Sequence, residues 1–159
     1  MNIRIVCVGK LKESYLKDAQ KEYLKRLSRF CRIEVIEADE EKAPDDANAS
    51  QDKKIRQKEA ERIVRALGKN TTTIALALDG KEMDSPEFSR EMKSFMTGGK
   101  SDLSFIIGSS TGLDESILDT ADYKLCLSKM TFPHQLARII LLEQIYRAFK
   151  IINNETYHK

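Results

Sequence analysis

Among its 159 residues the sequence has no tryptophan, two histidines, three prolines and three cysteines. Each shortage excludes something. Cys7, Cys31 and Cys126 are odd in number, widely spaced and each inside a strand-like run. Buried free thiols are therefore expected in place of disulfides or metal ligands, which favours a reducing cytoplasm. With two histidines and scattered cysteines there is no metal cluster to propose. No apolar run approaches the roughly 20 residues needed to span a membrane, so no membrane is expected as a partner. The opening MNIRIVCVG lacks the long apolar core and small-residue cleavage site of a signal peptide. Familiar phosphate and nucleophile motifs are missing too. Gly99-Lys100-Ser101 resembles the end of a P-loop, but Ser94 stands where the earlier glycine is required. No G-x-G-x-x-G follows a strand-like run, and no plausible Ser/His/Asp set appears.

What is there is ordinary in bulk and uneven in detail. The chain is 41% hydrophobic and 33% charged with a net charge of +2, suited to one domain over 1–159. From Met1 to Arg32 nine Lys/Arg stand against three Asp/Glu; from Glu37 to Asp52 seven acids stand against Lys42. Two explanations are open: a solvated basic helix face followed by a solvated acidic loop, or a basic surface that meets phosphate.

Hydrophobic periodicity alternates strand and helix. Asn2–Val8 reads as a strand, Glu13–Phe30 as an amphipathic helix, Cys31–Glu37 as a strand, 38–50 as an acidic loop, and Gln51–Leu67 as a helix with Ile55, Ile63, Val64 and Leu67 on its apolar side. Thr72–Leu78, Leu103–Ile107 and Lys124–Leu127 are short β-like runs separated by helical segments from Ser85, Leu113 and Pro133. The rhythm predicts an α/β fold, a mostly parallel sheet with helices on both faces. In such sheets ligands bind beyond the carboxyl ends of the strands. The predicted site is therefore built from Leu78–Gly80, Gly108–Gly112 and Leu127–His134.

Of these loops, Gly108–Gly112 permits close backbone approach to a ligand, though a tight strand-to-helix turn needs glycine equally. The Ser128–His134 loop leads into a helix, with Thr131 as the expected cap and His134 in the first turn, where the neutral imidazole is favoured. At ~100° per residue His134, Gln135 and Arg138 share one side of that helix. Apolar residues cover most of the rest as far as Ile152. A helix so apolar must be buried on more than one side, and a second subunit is the expected cover, giving a homodimer.

Several segments together resemble a known family. Val8–Lys12, Leu76–Gly80, Phe105–Gly108, Leu127–Gln135, Glu143–Phe149 and the terminal Tyr157-His158-Lys159 are similar to the ribosomal RNA large subunit methyltransferase H family, over the whole chain. The resemblance implies a SPOUT α/β knot with a C-terminal trefoil threading, and S-adenosylmethionine as cofactor. It further implies methylation of N3 of a pseudouridine in 23S rRNA on the assembled ribosome. By position it assigns cofactor contacts to Leu76, Gly108, Leu127, Ser128, Lys129, Met130, Thr131 and Phe132. The family usually has two glycines where this chain has Gly108-Ser109, so Ser109 is expected to narrow that loop or alter its backbone angles.

The chemistry adds roles. S-adenosylmethionine brings its own electrophile, so the protein positions the methyl and handles one proton. His134 is the first candidate base, His158 its rival, and unaided acidification of the base by the cationic cofactor the third option. Arg138 is the candidate for holding a phosphate or developing negative charge, and Tyr157 for stacking on the target base. The helix face with Lys17, Lys21, Lys25 and Arg29 becomes a candidate ribosome contact. Two competing functions stay open: the same chemistry on another RNA such as tRNA, and a non-catalytic RNA-binding protein.

Overall fold

The structure, a computed structural model, describes residues 1–157. Strands β1 (Asn2–Val8), β2 (Arg32–Ala38), β3 (Thr72–Glu82), β4 (Asp102–Ile107) and β5 (Tyr123–Cys126) form one sheet in the order β2-β1-β4-β3-β5. Every pairing in it is parallel. Helices α1 (Ser14–Leu27), α2 (Ala49–Ala66), α3 (Ser85–Thr97), α4 (Glu115–Thr120) and α5 (His134–Ile152) cover it. The predicted α/β class is borne out, with helices on both faces.

The period of two along the central strands explains the layering. Ile3, Ile5 and Cys7 of β1, with Leu103, Phe105 and Ile107 of β4, point into one core shared with α1, α3 and α5. Val6, Val8 and Ile106 point the other way, onto Ala60 and Ile63 of α2 and Ile117 of α4. All three cysteines are buried thiols, and burial pushes Cys7 up to about 12. No helix among the described residues is long and apolar enough to cross a membrane.

Three local expectations are corrected. β3 does not stop at Leu78. Leu76 pairs with Leu125, the chain leaves the ladder, and Lys81 rejoins opposite the same Leu125. Gly80 makes that return possible: a Cβ there would lie 2.6 Å from the Leu125 carbonyl carbon and 2.8 Å from Cys126 N. Leu78–Gly80 is thus an excursion within β3 and not a loop after it.

On α2, Val64 is 59% exposed, and the buried side is Ile55, Glu59, Ala60 and Ile63. The helix starts at Ala49 because Asn48 and Gln51 form a capping box, each side chain taking the other's backbone N–H. Thr131 does not cap α5. The capping position is Pro133, which has no side-chain acceptor to offer, and His134 is the first helical residue.

The apolar wrap of α5 is largely satisfied inside the chain. Leu141, Leu142, Ile145, Ala148 and Phe149 are buried, with α1 and α3 packed along the helix. Leu136 remains 40% exposed.

Candidate functional site

The Leu76–Leu78 stretch of β3 and the carboxyl ends of β4 and β5 open onto a cleft of about 730 Å³. Its size falls among those of small-molecule and cofactor pockets, and its walls are mainly apolar. A smaller polar hollow of about 260 Å³ lies at the opposite ends of the strands, around Asn2, Arg4, Glu34 and Asp102. It holds none of the residues that the sequence singled out.

Seven of the eight expected cofactor contacts meet in the larger cleft: Leu76, Gly108, Leu127, Ser128, Met130, Thr131 and Phe132. The eighth, Lys129, is outside the lining, and its ammonium lies 3.9 Å from Glu82 at the surface. Ser128 shapes its own loop by accepting the Met130 N–H at 3.0 Å. Gly108 is required where it stands, since a Cβ would come within 2.7 Å of the Gly112 carbonyl carbon. That closeness exists because the chain turns back at once: Gly112 N–H donates to the Ser109 carbonyl at 3.0 Å, with Gly112 at φ +82°. Ser109 does not take a positive φ. Its hydroxyl donates to Glu59 Oε2 at 2.8 Å and lies 3.0 Å from Thr111 Oγ1.

His134 lines the cleft at the start of α5, half-buried. Burial holds its imidazole below the ordinary histidine range, with the Glu40 carboxylate opposing and Arg138 and Lys12 reinforcing that direction. Glu40 is close: a Cβ on Gly9 would lie 3.3 Å from Glu40 Oε2 and 3.7 Å from His134 Nε2.

The predicted alignment of His134, Gln135 and Arg138 is seen, and all three face the segment after β1. Gln135 Oε1 accepts the Lys12 N–H at 3.0 Å. Arg138 is 1% exposed; its guanidinium donates to the Gly9 carbonyl at 2.8 Å, to Glu37 at 2.6 Å and to Gln20 at 3.3 Å. It anchors the first turns of α5 to the ends of β1 and β2 and does not reach into the cleft. Among the described residues its Nε has no hydrogen-bond partner.

Tyr157 lies apart. Its hydroxyl donates to Glu143 at 3.3 Å, and its ring stands edge-on to Tyr146 at 5.0 Å beneath the Arg147 guanidinium. Burial pushes its phenol up to about 12. Glu143 is nine residues along α5 from His134, roughly 13 Å at the helical rise. His158 lies outside the described residues. Among those residues no group of three or more His, Cys, Asp or Glu side chains is placed to hold a metal.

The residues that sequence reasoning missed are of two kinds. Ile107, Leu113 and Leu125 line the cleft but read as ordinary core. Glu59, 1% exposed, had a signal: it sits four residues from both Ile55 and Ile63, on the apolar side of its helix.

A parallel sheet covered on both faces, with a cofactor-sized cleft towards its carboxyl ends, is the arrangement in which α/β proteins bind small molecules. The family description "predicted SPOUT methyltransferase" matches residues 1–158. The ribosomal RNA large subunit methyltransferase H of Ruminiclostridium cellulolyticum is 55% identical over 159 residues, covering 100% of both chains. That of Acetivibrio thermocellus is 50% identical with the same coverage. The chain belongs to the SPOUT methyltransferase family, within the group of these relatives, as the sequence resemblance implied. A solved structure of a probable methylase family protein from Haemophilus influenzae Rd KW20 shares the fold, with a TM-score of 0.54 at 15% identity over 99% of this chain and 70% of that one.

Proposed function

We propose that the protein transfers a methyl group from S-adenosylmethionine to N3 of a pseudouridine in 23S rRNA of the assembled ribosome. It works as a cytoplasmic homodimer, with 1–159 as one domain carrying the C-terminal threading of its family. The observation that carries this reading is the cleft gathering Leu76, Gly108 and the Leu127–Phe132 loop beside a half-buried His134. The relatives' names supply the ribosomal RNA of the large subunit as substrate. The cofactor and the target atom follow from the resemblance.

The residues present fit that cofactor. Apolar walls suit an adenosyl group, Gly108 lets the cleft-lining turn fold back tightly on Gly112, and Ser128 and Thr131 add hydroxyls. S-adenosylmethionine, once bound, supplies an activated methyl on a sulfonium. The chain's own tasks are to exclude water, orient the base and take the N3 proton. His134, held neutral by burial, accepts that proton, and Glu40 stabilises the imidazolium so formed. Arg138 contributes by fixing the first turns of α5 on Gly9 and Glu37. Tyr157 reaches the reacting base only if a second copy sets its tail over this cleft, where it supplies the stacking surface; His158 is the rival base. The exposed lysines Lys17, Lys21 and Lys25 on α1 meet rRNA phosphate.

Purified ribosomes, isolated 23S rRNA and tRNA, each incubated with methyl-labelled S-adenosylmethionine, test the proposal. Label mapped to N3 of one 23S pseudouridine, strongest on ribosomes, is expected. Label on tRNA, or none on any RNA, overturns it.

A further inference from the structure

Glu59 is an unexplained cost in the fold. It lies in the middle of α2, 1% exposed, between Ile55 and Ile63, where a leucine would pack without desolvating a charge. Burial raises its carboxyl above the ordinary range. Both of its oxygens are in use, and by two different loops. Oε1 accepts the Glu41 N–H at 3.1 Å, from the acidic segment after β2. Oε2 accepts the Ser109 hydroxyl at 2.8 Å, from the glycine turn after β4.

Those two strands are not neighbours in the sheet, because β1 runs between them. One side chain therefore ties together two loops that backbone pairing leaves independent. Both belong to the site: the acidic segment carries Glu40, which faces His134, and the glycine turn walls the cleft. With the Ser109 proton committed to Glu59, the Thr111 hydroxyl donates to Ser109 Oγ. A hydroxyl chain then runs from the cleft wall to the buried carboxylate. The acidic segment is held on its other side by Glu41, which pairs with Lys58 and Arg62 of the same helix.

We propose that Glu59 is a positioning residue for the methyl-donor cleft, holding the Gly108–Gly112 turn through Ser109 and the Glu40 segment through the Glu41 backbone. The proposal rests on the reading of this cleft as the S-adenosylmethionine site. It assigns Ser109 a definite job: the serine hydroxyl is the attachment point by which α2 grips the turn.

Calorimetric titration of S-adenosylmethionine into wild type, Ser109→Ala, Glu59→Leu and Glu59→Gln tests it, together with hydrogen exchange at the amides of 109–112 and thermal melting. Ser109→Ala is expected to weaken binding roughly tenfold, the size of one lost hydrogen bond, and Glu59→Leu, which also loses the Glu41 contact, by at least about as much; both speed exchange at the turn. Melting of Ser109→Ala stays cooperative. Glu59→Gln recovers most of the affinity lost in Glu59→Leu, because an amide accepts from Glu41 N–H and donates to Ser109 Oγ. The double variant Glu59→Leu/Ser109→Ala is no weaker than Glu59→Leu alone, since the two share one contact. Wild-type affinity and wild-type exchange in Ser109→Ala overturn the proposal, even where Glu59→Leu fails to fold. If wild type itself does not bind S-adenosylmethionine, the cleft assignment falls, and turn exchange in Ser109→Ala still decides whether Glu59 holds the loop.

Discussion

His134 carries the sharpest pH argument in the molecule. Burial lowers its pKa, and Arg138 and Lys12 add to that effect while Glu40 opposes it. A folded pKa below the unfolded one means that stability from the neutral ring is present above the unfolded value and lost as pH falls through the folded one. The same titration removes the proposed base. Methyl transfer should fall on one proton as pH drops below the ordinary histidine range, and His134→Ala should lower the rate about 10²- to 10⁴-fold. Single-turnover rates between about pH 5 and 8, for wild type and for His134→Ala with and without His158→Ala, check this. A wild-type rate in the double variant would leave the cationic cofactor to acidify the base unaided. At this scale the sequence showed which residue types matter and less of what they touch. His134, Gln135 and Arg138 were correctly placed on one side of α5, because a helical step is fixed by backbone geometry. That Arg138 would be buried on Gly9 and Glu37 was not visible, since those partners lie about a hundred residues or more away in sequence.

Among the elements, β3 differs most from its sequence pattern. Alternation and β-branching mark Thr72–Leu78, but not the rejoining of the ladder at Lys81. A register shift depends on the partner strand, and β5 is only four residues long. Gly80 makes the difference testable. Gly80→Ala pushes a Cβ into the backbone of Leu125 and Cys126, with no flexible side chain to give way. Urea denaturation should show a loss of about 1–3 kcal/mol, and S-adenosylmethionine affinity should fall as β5 and its loop are displaced. An unchanged midpoint would mean that the β3 excursion adapts freely. The α2 helix shows the complementary case. Residue type alone places Val64 with Ile55 and Ile63 and leaves Glu59 out, whereas position on the helix exposes Val64 and buries Glu59.

For the whole molecule, the second copy decides how the site is completed. An α5 that is apolar nearly all round predicts a dimer, but α1 and α3 already bury much of that surface. What is left for a partner is more specific. Leu78 (70% exposed) and Met130 (75%) line the cleft, and Leu136 (40%) lies on the first turn of α5 beside it. Tyr157 is held far along the same helix. Size-exclusion chromatography with light scattering should give twice the 18.2 kDa of the chain at micromolar concentration, and Leu136→Glu should shift it towards monomer. A wild-type monomer would remove the composite site together with the roles given to Tyr157 and His158.

By itself the sequence determined the alternation of strand and helix, the parallel class of sheet, the loops after β4 and β5 that wall the cleft, and the family. These are properties of local periodicity and of short contiguous motifs, which a chain carries wherever it folds. Only the tertiary structure decided the strand order, the excursion of β3 around Gly80, the burial of Arg138 and the bridge from Glu59 to Ser109. Each of these depends on which distant segments come within hydrogen-bonding or van der Waals distance. That is settled by packing the whole chain at once, and no local pattern encodes it.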